Sequence, residues 1–137
     1  MTFGTHAIFY AVAALALTGC ASFQAPCPAG HDARQRVDLY FGRNIGDRLG
    51  VSEQDFEAFV EQEVSPRFPD GLTITDGQGR WRGGDKTIVR EPSKVITLVV
   101  DGTAEVQAHI DAIRAAYKAR FKQEAVMEIA SPACVGF

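Results

Sequence analysis

Val106, Ile110, Ile113, Tyr117 and Phe121 step by four, three, four and four, the spacing of one face of an α-helix. A helix with a single apolar stripe has to lay that stripe against another element, so the chain is limited to layered folds. Arg114, Lys118, Arg120 and Lys122 gather toward the C-terminal end of the stripe, where the helix dipole favours cations. An earlier helix is equally well marked: Ser52 as N-cap with Asp55 three residues on, acidic Glu53 in the first turn, and Val51 with Phe56 as a hydrophobic staple. Phe56, Phe59, Val60 and Val64 supply its buried face, and Pro66 ends it. Glu53, Asp55, Glu57, Glu61 and Glu63 on its other faces read as a solvated surface and not as a metal site.

Strands fill the spaces around these helices. In RVDLYFG, Val37, Leu39 and Phe41 alternate with Asp38 and Tyr40 until Gly42. Leu72 to Thr75 enters a second strand and Lys94 to Val100 forms a third, with the glycine-rich turns DGQG and GGD between them predicting a β-arm or hairpin. Pro92 cannot donate to a ladder, which puts it at an edge or bulge. AVMEIA from Ala125 makes the last strand, before SPACVGF. The order β-α-β-β-α-β predicts an α+β, ferredoxin-like split βαβ fold: a four-stranded antiparallel sheet, two helices on one face, and a β-arm between the middle strands. The third strand is apolar on both faces, Val95, Thr97 and Val99 on one and Ile96, Leu98 and Val100 on the other. Something should therefore cover the sheet's second face: the hairpin around Trp81, the C-terminal tail at Cys134, or a second copy, with the chain's own segments favoured.

The N-terminus carries a different signal. The apolar run AIFYAVAALAL from Ala7 to Leu17 is short of the roughly 20 residues needed to span a bilayer, and small residues follow it, as in a secretory signal. Leu17, Thr18, Gly19 and Cys20 resemble the lipobox of bacterial lipoproteins, which implies lipidation of Cys20 and a mature chain that begins there. Residues 1–19 are then the signal peptide, 20–35 a lipidated tether rich in proline and without apolar periodicity, and 36–137 one α+β domain. Because Ala21 is not the Asp associated with inner-membrane retention, the resemblance implies an exported protein on the periplasmic face of the outer membrane. Export favours a disulfide between Cys27 and Cys134, the two remaining cysteines; two separate thiols are the alternative.

The chain has a formal net charge of -3, which argues against sequence-independent nucleic-acid binding. His31 lies in the tether and His109 on the second helix, neither in a catalytic motif, and no zinc, EF-hand or phosphate-loop spacing occurs. No metal site and no cofactor is expected. The suggestive segment is basic and aromatic: Arg80, Trp81, Arg82, Lys86, Arg90 and Lys94, in an otherwise acidic protein. It has the chemistry to hold an anionic ligand, a lipid headgroup or the acidic first helix of a neighbour.

The blocks LYFG, SPRFPDGLT, DGQGRW, REPSKV and YKARFKQEAV, in this order, resemble a family of small bacterial exported lipoproteins known as a domain of unknown function, type 3574. The resemblance implies a single-domain lipoprotein and supplies no catalytic residues. The expected function is a membrane-anchored, non-catalytic binding or interaction module at the cell envelope, with Tyr40, Arg80, Trp81, Arg82, Arg90 and Glu91 as candidate binding residues. Its expected partners are the membrane through the lipid, an anionic ligand, and a second copy through the open sheet face. The alternative is a small envelope enzyme whose Tyr40, Arg82, Arg90 and Glu91 converge in a sheet-side pocket on a small molecule.

Overall fold

The computed structural model describes residues 26–82 and 86–137. Cys20 and the signal segment lie outside them. In chain order the elements are β1 (Asp32–Gly42), β2 (Asn44–Ile45), β3 (Arg48–Leu49), α1 (Glu53–Phe59) continuing as a π-helical turn over Val60–Val64, β4 (Thr73–Arg82), β5 (Ile88–Val100), α2 (Ala104–Phe121) and β6 (Met127–Val135). Four strands form one antiparallel sheet in the order β4-β5-β1-β6, and β2 with β3 makes a small separate ribbon. This is the ferredoxin-like arrangement that the element order predicts.

Period-two alternation in β1 and β5 decides which face meets the helices. Val37, Leu39 and Phe41 of β1 and Ile96 and Leu98 of β5 are fully buried in one core with Phe56, Phe59, Ile110, Ile113 and Tyr117. Its centre is aromatic: the Phe41 ring meets Tyr117 edge-on at 4.7 Å and Phe56 at 5.6 Å between centroids. Tyr117 keeps its phenol satisfied there by donating to the Gly42 carbonyl at 2.8 Å.

The start of α1 follows its sequence signature. Ser52 Oγ accepts from the Asp55 amide at 3.0 Å, the Ser52 amide donates to Asp55 Oδ2 at 3.2 Å, and Val51 and Phe56 are both buried. The far end differs from a plain α-helix. The Ser65 amide reaches back to the Val60 carbonyl at 2.9 Å, and this wider turn puts both Val60 and Val64 into the core just ahead of Pro66.

Three boundaries depart from expectation. β1 begins at Asp32, so residues 32–35, assigned to the tether, belong to the sheet. They pair with β6 from Asp32↔Val135 to Gln35↔Pro132, and their mostly polar, mostly exposed side chains leave no alternation to read. β6 accordingly extends through most of SPACVGF, with Pro132 tolerated on an edge strand. Cys27 is bonded to Cys134 with a Cα separation of 5.5 Å, which fixes the incoming chain beside that edge. Finally, β4 and β5 stay paired from Thr73↔Thr97 out to Arg82↔Ile88, whereas β1 ends opposite Ser93. The result is a two-stranded arm. Pro92 stands where β1 runs out; its carbonyl accepts from the Arg43 amide at 3.1 Å, so its missing N–H points to the side that has lost its neighbouring strand.

Candidate functional site

The arm carries most of the residues singled out in the sequence, and its register divides them between two faces. Residues opposite one another in adjacent strands share a face, and the faces alternate along each strand. Trp81 lies opposite Val89 and Glu91 opposite Gly79, on the same side of the sheet as Ser93, Val95 and Tyr40. Arg80 lies opposite Arg90 and Arg82 opposite Ile88, on the other side. Tyr40, Trp81 and Glu91 are thus separated from Arg80, Arg82 and Arg90 by the thickness of the ribbon.

On the first side the groups are tied together. Trp81 Nε1 donates to Glu91 Oε1 at 2.9 Å, and the Asn44 amide donates to Glu91 Oε2 at 3.3 Å. The carboxylate rests directly over Gly42, where an added Cβ would stand 2.7 Å from Oε2, so only glycine leaves it room. On the second side Arg80, Arg82 and Arg90 are exposed, and none makes an ion pair among the described residues. Like charges directly opposite in a ladder cost stability, and among the described residues nothing offsets the positive patch that Arg80 and Arg90 form.

The sheet face away from the helices is uncovered by the described residues. Neither the hairpin nor the C-terminal strand folds over it: Val99, Met127, Ile129 and Trp81 remain 49%, 53%, 46% and 45% exposed. The expectation that the chain's own segments cover this face is therefore corrected for the described residues. The arm continues in the plane of the sheet, and β6 is one of its edges. Tyr40 and Val95 lie mid-face, with Thr73, Thr75 and Thr97 beside them. Asp38, also on this face, is buried; burial pushes its carboxyl up, but hydrogen bonds from Thr97 Oγ1 at 2.6 Å and Arg36 Nε at 2.9 Å outweigh that and hold it below the ordinary value.

Lys94, grouped in the sequence with the basic segment for an anionic ligand, does not face outward with it: it belongs to a third arrangement, at the root of the arm on the helix side, where its charge is taken up by the chain's own carboxylates. Lys94 is buried, and its Nζ lies 2.5 Å from Asp76 Oδ1 and 2.6 Å from Glu53 Oε2. Arg43, also buried, donates to the Val51 carbonyl at 2.9 Å and pairs with the same Glu53. Glu53 and Asp76 are held below their ordinary values chiefly by hydrogen bonds from Lys94, and Lys94 is raised chiefly by Asp76 and then Glu53. The signal available in the sequence was a lysine on the apolar face of a strand, in register with Phe41. Beside this cluster Glu53, Asp76, Gly77, Gln78, Pro92 and Ser93 line an open hollow of about 400 Å³. A narrower groove of about 250 Å³ runs between Arg34, Arg67 and His109, the last with its ring against Phe68. Tyr40, Arg82, Arg90 and Glu91 line neither.

Solved structures of known proteins share this fold. A phage SAM lyase in complex with S-methyl-5'-thioadenosine superposes with a TM-score of 0.60 at 14% identity, over 85% of this chain and 97% of its own. The apo state of the phage SAM lyase gives 0.57 at 16% identity, over 84% and 97%. CutA from Synechococcus elongatus gives 0.51 at 14% identity, over 77% of this chain and 83% of CutA. At such identities the likeness is one of fold alone. No curated protein matches the chain. Residues 36–137 match the family model described as "Protein of unknown function (DUF3574)", and the chain belongs to that family.

Proposed function

We propose that this protein is a non-catalytic interaction module held at the cell envelope, on the periplasmic face of the outer membrane, by a lipid on Cys20. The observation that carries the interaction part is the sheet face left uncovered by the described residues, on which Val99, Met127 and Ile129 remain about half exposed. The anchoring part rests on Leu17 to Cys20. From Cys20 to the disulfide-bonded Cys27 the chain spans at most about 25 Å, so the domain rides close to the bilayer. The basic side of the arm supplies a second contact, in which Arg80, Arg82 and Arg90 hold an anionic ligand or lipid headgroup. The arm tip lies about 50 Å along the strands from the disulfide end, so it reaches the anchoring membrane only if the domain lies along it.

The small-molecule enzyme is the weaker reading. It needs Tyr40, Arg82, Arg90 and Glu91 in one pocket, and the register divides them between opposite faces. The phage SAM lyase shares the fold at 14% identity, which brings no activity with it.

Metabolic labelling with a palmitate analogue followed by membrane fractionation tests the anchor. Label in the outer membrane that disappears in Cys20→Ala is the expected result; label persisting in that variant refutes the lipid site, and label in the inner membrane alone refutes the sorting. Binding to vesicles of anionic phospholipid, compared with the Arg80→Glu/Arg82→Glu variant, tests the arm. Expected is a salt-sensitive loss in the variant, and equal binding by both removes the arm from the proposal.

A further inference from the structure

We infer that the open face of the sheet is the docking surface for a second copy of this chain, packed sheet to sheet. The inference rests on the reading of that face as an interaction surface and names its occupant.

β5 is apolar on both sides, as a strand buried on both sides is, yet among the described residues only its helix side, Ile96, Leu98 and in part Val100, packs into the core, while Val99 on the other side stays half exposed. On the other side Val95 lies between Tyr40 and Thr75, with Met127 beyond Tyr40. Thr97 lies between Asp38 and Thr73, with Ile129 beyond Asp38. One row across the four strands is thus apolar and hydroxyl throughout, and the next holds a single carboxylate, Asp38, which is already paired.

Its charges select the partner. Arg36 and Asp38 neutralise each other at 2.9 Å, and Glu91 is turned onto Trp81 and the Asn44 amide. A strongly charged partner finds little to complement there, whereas an identical face brings little repulsion. Among the described residues Arg80, Arg82 and Arg90, which make no ion pair, lie on the opposite side of the arm, and the exposed Glu57 lies on α1. Covering the face also strands no ion, because Asp38 already accepts from Thr97 and Arg36 within its own chain.

The size is adequate. Four strands spaced about 4.8 Å apart over six or seven residues, together with the arm, give a flat footprint of about 550 Å² per copy. Two copies bury about 1,100 Å² by that measure, just above the roughly 1,000 Å² that a specific interface needs, and side-chain relief adds to it. Two such sheets pack face to face about 10 Å apart, their twists setting the angle between them.

The test uses the full-length chain in bacterial cells, expressed together in two versions with different epitope tags. A photoreactive benzoylphenylalanine replaces Ile129 on the open face or, as control, Glu57 on the exposed side of α1. Irradiation is expected to give a doubly tagged product from position 129 and none from position 57, with the product lost when both versions also carry Val95→Arg. Because an arginine at Val95 risks the fold, Val99→Lys, at a position already half exposed, is run alongside, with retention of the Cys27–Cys134 bond as the sign of folding. A folded Val99→Lys chain that also loses the product supports the inference. No doubly tagged product from position 129, equal yield from position 57, or a product with a different protein alone overturns it. The last of these leaves the interaction module standing, and a failed palmitate label removes the anchor without touching this result.

Discussion

Lys94 and Asp76 are direct cross-strand partners on the helix-facing side of the arm's root, with the ammonium nitrogen 2.5 Å from the carboxylate. Glu53 at the start of α1 takes the same ammonium at 2.6 Å, so one buried cation ties the arm to the first helix. The pH dependence of stability follows. Glu53 and Asp76 titrate below their ordinary values of 4.5 and 3.8 in the fold, so their contribution is present above those values and is lost as pH falls through the depressed ones. Lys94 titrates above 10.5, so its contribution is complete below that and is lost as pH rises through the raised value. Denaturant midpoints measured from acid to alkaline pH should therefore form a plateau. Lys94→Met should shrink the acid loss and part of the alkaline loss; superimposable acid limbs would show that the cluster does not couple to folding.

Tyr117 adds to the alkaline loss. Burial pushes its phenol well above the ordinary value of 10, so the fold favours the neutral form, and stability falls as pH rises beyond the unfolded value. Tyr117→Phe keeps the ring among Phe41, Phe59 and Phe121 but leaves the Gly42 carbonyl without this donor. Chemical denaturation at neutral pH should show a loss of about 1–2 kcal/mol. A variant as stable as the parent would mean that the hydrogen bond adds nothing.

The Cys27–Cys134 bond closes nearly the whole described chain, with a sequence separation of 107. In the chain-entropy model a loop of that length stabilises by about 4.7 kcal/mol. Replacing both cysteines with alanine should lower the unfolding free energy by several kcal/mol while the core, which contains neither residue, keeps its near-ultraviolet circular dichroism. An unchanged denaturation midpoint after reduction would contradict this.

The fold was legible where a burial pattern repeats. The stripe from Ile110 to Phe121, the alternation of Val37, Leu39 and Phe41, and the box at Ser52 each encode a local geometry and a buried face at once, and the structure follows them. The edges were not legible. Asp32 to Gln35 and much of β6 are held by backbone pairing and a disulfide, neither of which selects apolar side chains. The candidate site was half legible: the arm's residues stood out by charge and aromaticity, but their division between two faces depends on a register that runs unbroken past the end of β1. The Lys94 cluster was hidden because its members, from Arg43 to Lys94, are up to 51 residues apart in the chain, and each alone is an ordinary charged residue.

Gly42 offers a sharp test of the open face's local structure. A methyl group there would stand 2.7 to 2.8 Å from the Glu91 carboxylate oxygens, which Trp81 and the Asn44 amide hold in place. The obstructing atoms are the end of a flexible side chain, so Gly42→Ala should fold with a loss below about 1 kcal/mol. Glu91 must nevertheless swing away, and Trp81 then exchanges its carboxylate partner for water. Trp81 is the sole tryptophan, so its emission reports this contact directly. Glu91→Gln keeps the shape but removes the charge, and Glu91→Ala removes the acceptor. The emission of Gly42→Ala should therefore match that of Glu91→Ala and differ from the parent, with Glu91→Gln nearer the parent. Parent-like emission in Gly42→Ala would mean that Glu91 keeps its place over position 42 and that the glycine is not what makes room for it.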